Sequence, residues 1–541
     1  MYTGIDQNLL KEYYQKGYWS HRTLLDCWDD AVCQHGSKTY VLDDCGHRKS
    51  YAQIDAEADA VAAYLQKHGI CQGDVVSFQI TPRCEFAAVL FGCIKLGAIP
   101  APLGMCFAGD ELCQLLKKLH SRLHFCVCFY RHHDIRERAL ALRQVLGPDF
   151  PLVFVGGSCP GQDHLDQILS RSAVSAVRST ADADDIALIL CTSGTTQGSK
   201  AVLYTHNAIL ASESSFNKAY SLTEQDVMFM PAPLNHATGL HHGLISPMLV
   251  GGTVVLQEIF QCHAAVELMN RERCTYSMGA TPFIYDILNS LEETNDRLPW
   301  LRFYICGGAP VSQELVQRAY QQYGLLVCEC YGSSESVPHI GVRPEECLAN
   351  DGTSAGHPME GIEVRIVDRQ HHPLPTGQIG EEASRGPNLF AGYLEAPQLT
   401  AQAIDEDGWF YSGDLAVMDE RGCIRIVGRI KDIIIRGGEN LNSNDIDCRL
   451  EGCPGVLDHA VIGMPDPRLG ERICAFVVCE PGRSVDKNQL VHYLKHKQVQ
   501  KRLWPERVEQ IDQIPRTESG KVRKNLLCDE LERRMKGEVS L

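Results

Sequence analysis

Between Thr253 and Cys330 the chain changes its hydrophobic period repeatedly, short apolar runs alternating with stretches whose apolar residues recur every three or four positions. TVVL (253–256) precedes a helical stretch from Ala264 to Arg273, and TYSMGA (275–280) then reads as strand. PFIYDILNSLEE (282–293) has helical spacing, LRFYIC (301–306) is strand-like, SQELVQRAYQQYG (312–324) is helical, and LLVCEC (325–330) closes the series as a strand. Strands joined by connections long enough to hold a helix run parallel, so this order predicts a mostly parallel sheet with helices on its faces. The alternation also appears earlier. Ile54, Ala58, Val61 and Leu65 recur at helical spacing, Gly69 stops the helix, and VVSFQI (75–80) reads as a buried strand.

In sheets of this kind, ligands gather beyond the carboxyl ends of the strands. IALIL (186–190) is followed by CTSGTT, FYIC by GGAP, and VCEC by YGSSES. Three strand ends carrying glycine- or hydroxyl-rich loops point to one nucleotide-sized site. Thr192 to Thr196, with Lys200 just beyond, have the composition of a phosphate loop: glycine admits close approach, and hydroxyls and amides supply donors. This is not a Walker A loop, because only three residues separate Gly194 from Gly198 and Ser199 precedes Lys200.

With 541 residues, the chain exceeds one ordinary domain. A formal charge of −17 argues against nucleic acid or an anionic membrane as a general partner. The longest apolar stretch, Phe86 to Leu103, is broken by Lys95, Gly97 and Pro100, so no transmembrane segment is expected. The N-terminus MYTGIDQNLLKEYYQKG lacks the apolar centre of a signal peptide, and 24 cysteines over this length read as reduced thiols of a cytoplasmic protein. His124, Cys126, Cys128, His132 and His133 do not have a standard zinc spacing, and LHFCVCFY reads instead as an apolar strand. No metal is assigned there.

From about residue 360 the texture changes. IEVRIVD and CIRIVG, the latter after the turn DERG, suggest β-hairpins. A compact α+β pattern follows Arg429. Between Lys495 and Lys536, 12 Lys/Arg stand against 7 Asp/Glu, a local surplus of positive charge on an acidic chain.

Taken in order, CTSGTTQGSKAV, YGSSES, GWFYSGDLAVMDERGCIRIVGRIKDIIIRGGENL and PRTESGKVRK resemble the motif series of the acyl-adenylate-forming enzymes. MPAPLNHATGL, MGATPF, EEASRGPNLFAGY and RGGEN most resemble bacterial short- and medium-chain fatty acid–CoA ligases. Aryl-acid and carnitine-type ligases are close relatives. The resemblance implies an α/β protein in two domains. Residues 1–430 would form mostly parallel sheets with flanking helices and a small β subdomain, and 431–541 a small mobile α+β domain carrying the catalytic lysine.

The implied reaction has two halves. A carboxylate attacks the α-phosphate of ATP, giving acyl-AMP and pyrophosphate; the thiol of coenzyme A then displaces AMP. Charge developing on the phosphate calls for cations and dipoles aimed at it. By the resemblance, Thr192, Ser193, Gly194, Thr195, Thr196 and Lys200 hold the β- and γ-phosphates, although Gln197, Ser199 and Ala201 replace the family's usual Gly, Pro and Gly. Gly307, Gly308, Ala309 and Pro310 form the adenine turn, Tyr331 packs on the base beside Gly332, Ser334 meets the α-phosphate, and Glu335 holds Mg²⁺. Asp414 takes the ribose hydroxyls, Arg429 contacts ribose or phosphate, Lys431 is the hinge, and Lys521 is the catalytic lysine.

Gly437 and Gly438 would line the path of coenzyme A. His236 would gate the acyl and coenzyme A pockets, and Gly239, Gly279, Ala280 and Thr281, with Gly307, would line the acyl pocket. None of these is a carboxylate that would pair with an amino acid's α-ammonium group. The expected partners are a small carboxylic acid, ATP, Mg²⁺ and coenzyme A. Two alternatives stand: an adenylating ligase for an aryl or carnitine-type acid that loads coenzyme A or a carrier protein, and a nucleotide-binding protein without catalysis. Peripheral membrane contact and oligomeric state are left open.

Overall fold

The computed structural model describes residues 7–171, 178–192, 200–308, 311–350, 352, 354–437, 439–517 and 520–536. The expected site residues Ser193, Gly194, Thr195, Thr196, Ala309, Pro310 and Gly438 lie outside these, as do Gln197, Gly198 and Ser199.

Two compact units are present. The first holds the chain up to Glu363 together with Ser384–Phe410, and the second holds Val364–Ala383 and the chain from Tyr411 onward. This grouping differs from the expected division at 430/431, because the small β-sheet goes with the C-terminal part. The reason is local packing. The strands Ile424–Arg429 and Ile433–Arg436 are joined only by the single turn Ile430–Asp432, and the helix Ser443–Leu450 packs on the first of them. A Cβ at Gly428 would stand 2.6 Å from the Asn442 side chain, so only glycine fits beneath that residue.

The first unit contains the alternation predicted from the sequence. Its nine-stranded sheet runs in the order His357–Pro358, Ile340–Gly341, Leu326–Tyr331, Phe303–Gly307, Tyr276–Gly279, Val227–Met230, Thr253–Leu256, Thr39–Asp43, Arg48–Ser50. The six central strands are parallel, and the outer ones at both edges are antiparallel. Helices Cys262–Arg271, Thr281–Thr294 and Gln313–Tyr323 fall close to the expected positions. A second sheet is wholly parallel and contains Val75–Gln79 and Leu123–Val127, the latter within the run read as an apolar strand. The helix Tyr51–Lys67 begins at a capping box: the Ser50 hydroxyl accepts from the Gln53 amide, and the Gln53 side chain accepts from the Ser50 amide.

One expectation is corrected. Ile186–Cys191 is not a strand of the large parallel sheet. It pairs antiparallel with Ala201–Thr205, which pairs in turn with Gly392–Tyr393, in a separate three-stranded sheet. AVLYT is apolar and β-branched enough to fold straight back, so the segment after Cys191 connects a hairpin and is no strand-to-helix turn. Ile189 and Ala201 anchor this hairpin in a core shared with Leu103, Leu116 and Phe154.

In the second unit, a four-stranded sheet includes the antiparallel hairpin Phe410–Met418/Ile424–Arg429, as the alternating runs suggested. A further sheet is built on the long pair Val456–Asp466 and Gly470–Cys479. Period-two alternation gives this pair two apolar faces. Val461, Ile473, Ala475 and Val477 pack with Ile446, Leu450, Leu490 and Leu494 on one side, while Ala460, Ile462, Cys474 and Phe476 meet Leu527 and Leu531 on the other. Among the described residues, no helix is long and apolar enough to cross a membrane.

Candidate active site

In the first unit, three strand ends and a hairpin bring the expected residues to one edge of the sheet. Gly279, Gly307 and Tyr331 end adjacent parallel strands, the register pairing Gly279 with Cys306 and Gly307 with Cys330. Gly308 follows with φ of +89°, a left-handed conformation that glycine adopts without strain.

After Tyr331 the chain folds into a tight loop. The Ser333 hydroxyl accepts from the amides of Glu335 and Ser336, and the Ser333 amide donates to the Ser336 carbonyl. A Cβ at Gly332 would lie 2.9 Å from the Ser336 carbonyl oxygen, which fixes glycine there. The phenol of Tyr204 donates to the Ser334 carbonyl, and the Phe390 amide donates to that of Glu335. Ser334 and Glu335 are thus held by their backbones and leave half-buried side chains at the edge.

Glu335 has a close neighbour that sequence reasoning did not assign. The Tyr393 phenol donates to its Oε1 at 2.7 Å. Lys200 places its ammonium 3.2 Å from the same phenol oxygen and 4.6 Å from the centre of the ring. Burial, then the charge of Glu335, drives the phenol far above its ordinary range, so Tyr393 remains a donor. Tyr393 lies in the quoted run NLFAGY. Its signal was an aromatic that pairs in register with Val202, two residues beyond Lys200. The Lys200 carbonyl accepts from the Thr192 amide at 2.9 Å, closing the base of the hairpin. A carboxylate whose second oxygen has no partner among the described residues suits Mg²⁺, which prefers hard oxygen donors and keeps much of its shell for phosphate and water.

The expected acyl-pocket residues divide. His236 is half-buried, its Nδ1 within 3.3 Å of the Thr238 amide, and it precedes a π-helix, Thr238–Ile245. The direction a Cβ would take at Gly239 is filled by the Pro233 carbonyl at 2.1 Å, and at Gly279 by the Tyr304 hydroxyl at 2.5 Å. Both glycines are therefore needed for the chain's own packing. Ala280 caps the helix that Thr281 begins, and the Thr281 hydroxyl lies 3.5 Å from Cys306 Sγ.

Behind the π-helix, Glu213 is fully buried. His242 Nδ1 lies 2.8 Å from one of its oxygens, and the Ser212 hydroxyl donates to the other at 3.0 Å. Nothing in the sequence marked this cluster, because Glu213 and His242 come together only through folding.

In the second unit, Asp414 and Arg429 face each other across the hairpin, with Nε 2.9 Å from Oδ1. Asp414 is buried, and the preceding Gly413 takes a φ of +72° while its amide donates to Glu381. Lys431 is exposed on the turn Ile430–Asp432. Gly437 has φ of +60° and donates its amide to the Leu469 carbonyl. Lys521 lies in a stapled loop. Its amide donates to the Thr517 hydroxyl, its carbonyl accepts from the Thr517 amide, and Arg516 donates to the Gly520 carbonyl and pairs with Asp458.

Asp43, His47 and Glu85 form the one group of metal-capable side chains found among the described residues. Asp43 accepts from the amides of Cys45, His47 and Cys84, and Arg83 stands 3.1 Å from Glu85. The group is a turn and an ion pair.

A parallel α/β sheet with hydroxyl- and glycine-rich loops at its strand ends, and a carboxylate joined through Tyr393 to a lysine, is the arrangement in which open sheets of this kind hold nucleotides. Comparison with known proteins is specific. The AMP-binding enzyme family matches residues 28–394, and its C-terminal domain matches residues 445–521. The chain belongs to this family.

It is 40% identical over 530 residues to the medium-chain fatty-acid–CoA ligase of Escherichia coli (strain K12), covering 97% of this chain and 94% of that one. It is 31% identical to a feruloyl-CoA synthase of Amycolatopsis, over 88% and 93% of the two chains. Among solved structures, ATP-bound MatB from Rhodopseudomonas palustris superposes with a TM-score of 0.84 at 28% identity, over 95% of this chain and 99% of that one. An anthranilate CoA ligase in complex with anthranoyl-AMP shares the fold, with a TM-score of 0.87 at 21% identity, over 96% and 98%. The chain is an ATP-using acid–thiol ligase.

Proposed function

We propose that this ligase activates a short- or medium-chain aliphatic carboxylic acid through acyl-AMP to its coenzyme A thioester. The likeness to the E. coli medium-chain ligase supports the substrate class. The observation that carries the reading is the gathering of Lys200, Tyr393 and Glu335 at the sheet edge.

In the first half-reaction, a carboxylate oxygen bonds to the α-phosphorus and the bond to the β-phosphate oxygen breaks. The charge on pyrophosphate is met by Lys200 and the hairpin donors. Mg²⁺, held through Glu335, would neutralise phosphate charge when bound. Tyr393 keeps the Glu335 carboxylate oriented. Asp414, with two acceptor oxygens, fits paired ribose hydroxyls, and Arg429 fixes its position. Lys521 supplies a compact cation to the carboxylate and α-phosphate, delivered by rotation of the C-terminal domain about Lys431. In the second half-reaction, the coenzyme A sulfur attacks the acyl carbon and AMP departs with the bonding pair; Gly437 and Gly438 would give the pantetheine arm room to pass. Among the described residues no two cysteines form a disulfide; the reading takes a cytoplasmic setting, where thiols stay reduced.

Pyrophosphate release should be measured across C2 to C12 fatty acids, aryl acids and carnitine, with free coenzyme A and a carrier protein as competing acceptors. The reading expects a short- or medium-chain fatty acid and free coenzyme A to give the highest kcat/KM. A preference for aryl acids, or for the carrier protein, would replace it.

A further inference from the structure

Glu329 is a buried-strand carboxyl that none of the roles above uses. It belongs to Leu326–Tyr331, in the parallel centre of the nine-stranded sheet, where it pairs with Cys306. Residues in register on neighbouring parallel strands share a face, and alternate residues along one strand do likewise. Glu329 therefore shares a face with Tyr331, Tyr304 and Cys306, and Cys306 Sγ reaches the Thr281 hydroxyl.

Its neighbours Cys306 and Cys330 are 0% and 5% exposed. Glu329 itself is only half-buried, as are Thr281, Phe283, Gly307 and Tyr331 around it. Partly exposed side chains thus gather around Glu329 at this point of the sheet. Among the described residues, the Glu329 carboxyl has no hydrogen-bond or ion-pair partner. Burial pushes it up to about 8, so near neutral pH it is chiefly the uncharged acid, able both to donate and to accept a hydrogen bond.

Glu329 lies two residues before Tyr331 on the same face, roughly 6.6 Å deeper along the strand at about 3.3 Å per residue. A nucleotide against Tyr331 lies outside the strand end. What reaches Glu329 is the group beneath it, on the side where Thr281 opens its helix. We propose that Glu329 is a specificity-determining residue that selects acids bearing a hydroxyl or similar hydrogen-bonding substituent on the acyl chain over bare alkyl chains of the same length. This rests on the adenylation reading and on the acyl pocket lying at Thr281. A bare alkyl chain would displace water from the carboxyl and leave it unpaired, whereas a hydroxyl restores the bond.

The test uses the full chain with octanoate and its hydroxylated counterparts, one position at a time, in wild type, Glu329→Leu and Glu329→Gln. Pyrophosphate release gives kcat/KM for each acid and KM for ATP, and calorimetric binding of the same acids reads preference without turnover. The wild type is expected to favour at least one hydroxyoctanoate by about tenfold or more. Glu329→Leu should invert that ratio with KM for ATP within about twofold, and Glu329→Gln, which still donates and accepts, should keep part of it. An acid ratio unchanged in Glu329→Leu overturns the proposal. So does a shift confined to KM for ATP, which would set the carboxyl against the nucleotide. Absence of pyrophosphate release with every acid would defeat the adenylation reading, and the binding ratios would still decide the role of Glu329.

Discussion

Tyr393 donates a 2.7 Å hydrogen bond to Glu335 and presents its ring to the Lys200 ammonium, 4.6 Å from the ring centre. One aromatic side chain thus fixes the spacing between a carboxylate and a cation that would otherwise collapse into an ion pair. A hydrogen bond to a charged group contributes roughly 1.5–3 kcal/mol. Tyr393→Phe should therefore lower kcat/KM for adenylation about ten- to a hundredfold and raise the Mg²⁺ concentration needed for half-maximal rate. Wild-type Mg²⁺ dependence in this variant would show that the phenol does not serve the metal.

Lys521→Ala should cripple pyrophosphate release by roughly 100-fold or more, the loss of one preorganised electrostatic donor. Thioester synthesis from supplied acyl-AMP and coenzyme A should be largely spared. The two half-reactions are measured separately, and equal loss in both would contradict the assignment.

Glu213 gives a prediction about stability. Burial alone would raise its carboxyl, but His242, hydrogen-bonded at 2.8 Å, and His241, 3.7 Å away, prevail and hold it at about 2. A folded value below the unfolded 4.5 means stability that is present above about pH 4.5 and lost as pH falls toward 2. Breaking a buried pair on one side costs about 3–5 kcal/mol. Glu213→Gln should lower the urea midpoint by a corresponding amount at pH 7, and the gap to wild type should narrow below pH 4.5. A gap independent of pH would show that the carboxylate charge is not the cause.

Glu329 has the opposite sign. Its folded value of about 8 exceeds the unfolded 4.5, so between these the unfolded chain gives up a proton that the folded chain retains, and stability falls as pH rises. Glu329→Gln should melt higher than wild type at pH 8 and at nearly the same temperature at pH 5. Melting curves at the two pH values check this, and an equal difference at both would mean that the carboxyl ionises freely.

The parallel centre of the fold was legible because period and connection length are both local: Tyr276–Gly279, Phe303–Gly307 and Leu326–Tyr331 fall close to where the apolar runs stand. Ile186–Cys191 was misplaced because an apolar run does not reveal which strand it will pair with. Tyr393 escaped notice since its role depends on register with Val202, nearly two hundred positions away. Glu329 was read as one more residue of a strand. Its importance comes from the side of the sheet it takes, which alternation fixes, and from its lack of a partner among the described residues, which only packing reveals.

The hairpin bearing Thr192 and Lys200 has a consequence for how an anion is held there. A loop ahead of a helix borrows the field of every aligned peptide behind it. A ribbon has almost none to lend, its successive dipoles cancelling. On the proposed reading, attraction for polyphosphate comes from the connecting residues themselves and from the lysine at their root, and should weaken readily as ionic strength rises. The same architecture separates grip from scaffold: with Cys191 locked to Ala201, exchanges such as Gln197 and Ser199 would, on the proposed reading, retune the hold on pyrophosphate while the strand pairing stays as it is.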